Sequence, residues 1–146
     1  MFRRIITLAA CAALFSGCGG PGDSSGPRGW VHDSDGLWTN RRSQHDRFTA
    51  VSAPFDGTLK DLASQITTDV VLRNRGQYIR GVPFARCPGE AGLQTFTLGK
   101  ARTLFLQVAF SVQNGRRVQA SYQRGADEPD DPAAIDAMAA NVCVMP

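Results

Sequence analysis

Chemistry-bearing side chains are scarce in this chain. It has two histidines in 146 residues, and no Gly-x-Ser-x-Gly elbow, phosphate-cradling glycine loop or Ser-x-x-Lys pair. Hydrolytic and nucleotide-driven reactions therefore lack their usual carriers. No nucleic-acid-binding motif occurs, and the formal charge of +3 is too small to mark a basic partner surface. Beyond the N-terminus no apolar run approaches the length that crosses a bilayer. The four cysteines are too few for a disulfide-dense scaffold, but two of them prove informative.

The N-terminal stretch MFRRIITLAACAALFSGC has two arginines, an apolar run from Ile5 to Phe15, then small residues and a cysteine. About 11 apolar residues suit a secretory signal and are too few for a membrane span. Leu14-Phe15-Ser16-Gly17-Cys18 resembles the lipobox of bacterial lipoproteins, which implies a signal over residues 1–18 and diacylation of Cys18. Leu8-Ala9-Ala10-Cys11 also fits the four-residue pattern but leaves a shorter hydrophobic core, so Cys18 is preferred. Gly19 after the cysteine, by resemblance to lipoprotein sorting, implies the outer membrane, facing the periplasm. Residues 19–29, GGPGDSSGPRG, read as a flexible tether, and 30–146 as one globular domain. Losing Arg3 and Arg4 with the signal reduces the formal charge from +3 to +1.

If Cys11 leaves with the signal and Cys18 takes the lipid, Cys87 and Cys143 remain in an oxidising compartment, and a disulfide between them is expected.

The strongest structural signal is Arg102 to Arg124. Leu104, Leu106, Val108, Phe110 and Val112 alternate with Phe105, Gln107, Ala109, Ser111 and Gln113, and Val118, Ala120 and Tyr122 alternate with polar residues after Asn114-Gly115. Period-2 patterning of this kind predicts two half-buried strands. If each has one apolar face, a two-residue Asn-Gly loop sets Val112 against Arg117, apolar against polar. A three-residue loop over Gln113-Asn114-Gly115 restores matching faces, placing Phe110 opposite Val118 and Leu106 opposite Tyr122. Tyr122 is expected in the core, and Phe105, on the polar face, against a helix or a partner.

Around this hairpin the sequence predicts a strand at Leu93–Leu98 and another at Arg47–Ala53 ended by Pro54. A strand or extended crossing is expected at Gln77–Phe84, interrupted by Gly81 and Pro83, and a short hairpin around His32–Gly36. Thr58, with Asp61 three residues on, caps a helix to about Arg73 whose stripe is Leu59, Leu62, Ala63, Ile66 and Val70, with Gly76 as its stop. Asp131 and Pro132 open a last helix with a stripe at Ile135, Met138, Ala139 and Val142, ending at Cys143. The result is an α+β fold, an antiparallel meander flanked by two helices.

The helix Thr58–Arg73, the Cys87-Pro88-Gly89 turn before a strand, the strand carrying Ser121-Tyr122 and the helix ending in Cys143 together resemble the PsbP-like α/β/α sandwich. That fold occurs in small bacterial lipoproteins, the LpqN-type proteins among them. The resemblance spans roughly Phe48 to Cys143 and implies a non-enzymatic accessory or binding protein.

Candidate sites are few. His32 with Asp33 and Asp35, and His45 with Asp46, are the only histidine–carboxylate groupings; lacking helical His-x3-His spacing, both read as solvated connecting sequence, and no metal or cofactor is expected. Glu90 reads as an exposed loop residue. Arg73, Arg75, Arg80 and Arg86 could form an anion-binding patch if the helix end and the following strand fold together. The expected partners are a membrane, through the N-terminal lipid, and an envelope protein. The alternative is a periplasmic domain that binds a small molecule or metal.

Overall fold

The computed structural model describes residues 26–33 and 36–143. The signal, Cys11, Cys18, Asp35 and the tether as far as Ser25 lie outside the described residues. Described structure begins four residues before Trp30: Pro27 is buried and its carbonyl accepts from the Trp30 N–H at 3.1 Å.

One seven-stranded sheet, antiparallel at every pairing, runs in the order β1-β2-β3-β7-β6-β5-β4. Its strands are β1 (Val31–His32), β2 (Leu37–Asn40), β3 (Ser43–Pro54), β4 (Gln77–Pro83), β5 (Gly92–Leu98), β6 (Leu104–Gln113) and β7 (Arg116–Gly125). Helix α1 (Leu59–Thr68) carries the chain from β3 to the far edge, where β4 starts a meander back to β3; helix α2 (Pro132–Val142) follows β7. The α+β sandwich is therefore present, with a wider sheet than the central meander.

The hairpin register differs from the expected one. Gln113 pairs with Arg116, Val112 with Arg117 and Ala109 with Ala120, so the loop is the two-residue Asn114-Gly115. Both residues have positive φ, 50° and 76°, as a type I′ turn requires. The expected register assumed one apolar face per strand, but this sheet is covered on both. Leu106, Val108, Phe110 and Val112 of β6 pack with Phe96 against Leu62 and Ile66 of α1 and Val70 just beyond it. On the other face Ala109 of β6 joins Ala120 and Tyr122 of β7 and Phe48 of β3 under Ala134, Met138 and Val142 of α2. Apolar residues of β6 and β7 thus serve opposite layers, and pairing them across the turn is unnecessary.

The helix starts follow the sequence. The Thr58 side chain accepts from the Asp61 N–H at 3.1 Å, and Asp61 Oδ2 accepts from the Thr58 N–H at 2.8 Å, a complete capping box. The end of α1 departs from expectation. It widens into a π turn over Asp69–Arg73, and the left-handed residue that stops it is Arg75, at φ 55°, instead of Gly76. Gly76 is required for another reason: a Cβ there would press on Val70 and Leu98. The α2 stripe is rotated toward Ala134, Ala137, Met138 and Val142, leaving Ile135 and Ala139 at its margin.

Cys87 and Cys143 are disulfide-bonded, with Cα atoms 4.9 Å apart and a sequence separation of 56. The bond ties the end of α2 to the loop before β5. On the chain-entropy account, closing so long a loop stabilises the fold by about 4 kcal/mol. Replacing Cys143 with serine is therefore expected to lower Tm by on the order of 10 °C under non-reducing conditions. Scanning calorimetry of wild type with and without reductant checks this, since reductant should bring wild type down to the variant.

Candidate functional site

Apolar residues are exposed mainly on one edge. Of six exposed large hydrophobic residues among those described, five lie between positions 71 and 82: Val71, Leu72, Tyr78, Ile79 and Val82. The widened end of α1 turns Leu72 outward, 73% exposed, and β4 is exposed along its whole length. Pro83 fits because an edge strand tolerates a residue without an N–H. Ile79 is the extra residue of a bulge, since Tyr78 pairs with Phe96 and Arg80 with Thr95. The Tyr78 ring stacks edge-on against Phe96, 5.8 Å between centroids, fixing this side chain to the α1 face.

Beside this edge an open trough of about 920 Å³ runs between the start of α1, β4 and the Phe84–Gly92 loop. Leu59, Ala63, Tyr78, Val82, Phe84, Leu93 and Phe110 give it apolar walls, with Lys60 and Glu90 as its charged lining residues. Gln94 joins its wall to α1, donating to the Ala63 carbonyl at 3.1 Å and to Thr67 Oγ1 at 3.0 Å. The Gln94 Oε1 is buried with no hydrogen-bond partner among the described residues.

The four arginines do not form one patch. Arg73 stands 3.6 Å from Asp69 at the exposed end of α1, near Arg75 in the chain, and Arg80 lies on β4. Arg86 follows Pro83, where the chain passes to the other face and Phe84 enters the α2 layer; it pairs with Asp136 of α2 at 2.8 Å. The sheet therefore separates Arg86 from the end of α1.

His32 and His45 lie on separate strands, β1 and β3, and the His32 ring stacks on Trp38 with centroids 4.8 Å apart. No group of three or more His, Cys, Asp or Glu is placed to hold a metal among the described residues. Both described cysteines are bonded to each other, so neither offers a thiolate.

Asp46 corrects the reading of His45-Asp46 as solvated connecting sequence. Strand β3 begins at Ser43, earlier than expected, and Asp46 is fully buried. Polar partners make this tolerable. Asn40 donates to Asp46 Oδ2 at 3.1 Å and to Asp131 Oδ2 at 3.3 Å, and Arg42 lies 3.4 Å from Asp46 and 3.8 Å from Asp131. The Trp30 indole donates to Asp131 Oδ2 at 2.9 Å, and the Tyr122 hydroxyl accepts from the Asp131 N–H at 2.9 Å. Asp131 also caps α2, so this network holds the helix start to β2, β3 and β7. Its role is architectural. Ser43 donates to Glu128 Oε1 at 3.0 Å and, with the Gly125 N–H, holds the Glu128 carboxyl below its ordinary value.

Tyr122 is buried as expected, opposite Gln107 and Phe48 instead of Leu106. Phe105 lies under the Arg124 guanidinium, 4.7 Å from its ring centroid. The exposed apolar edge was missed in the sequence, although one signal was present: a proline inside an apolar strand marks an edge position.

No family model and no curated protein matches the chain. Among solved structures, the solution structure of cyanobacterial PsbP from Synechocystis sp. PCC 6803 superposes with a TM-score of 0.58 at 12% identity, covering 79% of this chain and 81% of that one. The fold is PsbP-like, and at that identity the likeness concerns the fold alone.

The buried Asp46 gives a pH prediction. Burial is the main influence on its carboxyl and raises its pKa above the ordinary 3.8, against the opposing pull of Asn40 and Arg42. Its favourable contribution is therefore present below 3.8 and lost as pH rises through the raised folded value. The stability difference between Asp46→Asn and wild type is expected to move in the variant's favour from about pH 3 to about pH 7. Urea midpoints across that range check it; the opposite trend would mean that the native charged form is the stabilised one.

Proposed function

We propose that this chain is a non-enzymatic binding domain, anchored to the bacterial envelope through a lipid on Cys18, that docks an envelope protein. The observation that carries this reading is the gathering of exposed apolar side chains on the α1 end and β4. Isolated exposed hydrophobics are ordinary on a soluble surface; a cluster with charged neighbours suits a protein contact. The lipobox-like stretch ending at Cys18 and Gly19 supports an outer-membrane address facing the periplasm. The likeness to PsbP-type structures and the sequence resemblance to LpqN-type lipoproteins suit an accessory role without defining the partner.

A second reading, a small apolar ligand held in the trough, is favoured by its apolar walls and the unpartnered Gln94 oxygen beside them. Native mass spectrometry of the purified protein separates the two, because a retained small molecule would appear as a discrete mass increment.

Two outcomes test the first reading. Replacing Cys18 with alanine is expected to move the protein from the membrane fraction to the soluble fraction; unchanged membrane partition would remove the lipid anchor. In-cell crosslinking of the anchored protein, followed by mass spectrometry, is expected to capture one dominant envelope protein. Capture of none would reject docking.

A further inference from the structure

The sheet has two ends, and they are treated differently. β1 is two residues long, a short edge that offers little backbone for pairing, whereas β4 is seven residues long and, among the described residues, has no strand on its outer side. We propose that β4 is completed by an extended segment of a partner protein, carrying acidic side chains among apolar ones, which adds to the sheet as a further strand. This rests on the reading of the chain as a protein-binding domain and specifies where and what it binds.

Three observations select that occupant. Main-chain N–H and C=O groups along an outer strand edge form hydrogen bonds with any extended chain laid beside it, so strand addition supplies affinity without a preformed pocket. Tyr78, Ile79 and Val82 give that edge exposed apolar side chains. The charge is one-sided: from Val70 to Glu90 there are four arginines and a single carboxylate. Arg73 and Arg86 are already paired, with Asp69 and Asp136, while Arg75 and Arg80 have no ion pair among the described residues. An acidic side chain opposite Arg80 would supply the missing partner.

A second copy of this chain fits poorly. A two-fold pairing centred on β4 brings the two Arg80 side chains opposite or diagonal to each other, which like charges disfavour. The bulge at Ile79 and the missing N–H of Pro83 restrict regular pairing to short stretches, so side chains must select the partner.

The test uses the full-length chain, isotope-labelled, titrated with a capped peptide of alternating valine and glutamate about as long as β4. A matched peptide with lysine in place of glutamate is the control. The expected result is perturbation of the amide signals of Gln77–Val82 by the acidic peptide and not by the basic one. Arg80→Glu, at an exposed position, should weaken the acidic peptide about tenfold and admit the basic one, while Arg80→Lys retains the wild-type preference. Perturbation confined to the trough, equal binding of both peptides, no binding, or concentration-dependent self-association through β4 would each overturn the proposal. Capture of an envelope protein in cells that survives Arg80→Glu would overturn this assignment while leaving the partner-binding reading intact.

Discussion

The two-residue turn at Asn114-Gly115 is the constraint on which the rest of the structure depends. Because strand side chains alternate, closing β6 and β7 with two residues instead of three sends the apolar sets of the two strands to opposite faces. Neither face can then be left to water. Val108 and Phe110 require cover on one side, Ala120 and Tyr122 on the other, and the chain provides α1 and α2 in turn. Each large side chain fully buried in these layers, such as Phe96 or Met138, contributes roughly 1.5 to 3 kcal/mol. The turn thus dictates a three-layer sandwich, and the PsbP-like architecture follows from it.

The two helices are fastened unequally. At its start α2 is held by the Asp131 network from Trp30, Asn40 and Tyr122. At its end Ser111 and Gln113 donate to the Val142 carbonyl at 2.7 and 2.8 Å, and the disulfide follows one residue later. By contrast α1 is held mainly by apolar packing and the Gln94 hydrogen bonds, and beyond Thr68 it widens and releases Leu72 to solvent. Buried, cross-linked structure therefore concentrates at α2, and exposed apolar structure at the α1 end and β4. A cross-linked layer behind and an open edge in front fit the docking proposed above, because groups held on a firm scaffold lose little freedom on binding.

Much of this was legible in the residues. The capping box at Thr58 and Asp61, the Asp131-Pro132 start of α2 and the strands β5 and β6 each carry local chemistry that admits few alternatives, and the Cys87–Cys143 pair followed by elimination among the four cysteines. What could not be read depends on partners distant in sequence. The hairpin register required knowing that both faces are covered, and the alternation in β6 and β7 alone does not state which layer each strand serves. Asp46 looked solvated because its partners Asn40 and Arg42, at the end of β2 and in the turn after it, reach it only once β2 pairs with β3, and both are tied in turn to the α2 cap at Asp131 far along the chain. The arginine group from Arg73 to Arg86 is close in sequence but divided by the sheet, and the exposed edge of β4 becomes visible only once the strand order is known.

Covering both faces of this sheet leaves β4 as its one long uncovered edge among the described strands. Native-state hydrogen exchange on the isolated chain tests it directly. Amides of β6 and β7 should exchange only through global unfolding, while the outward-facing amides of β4 should exchange through small local openings or none. Equal protection of β4 and β6 would mean that the edge is already covered, and the account would fail.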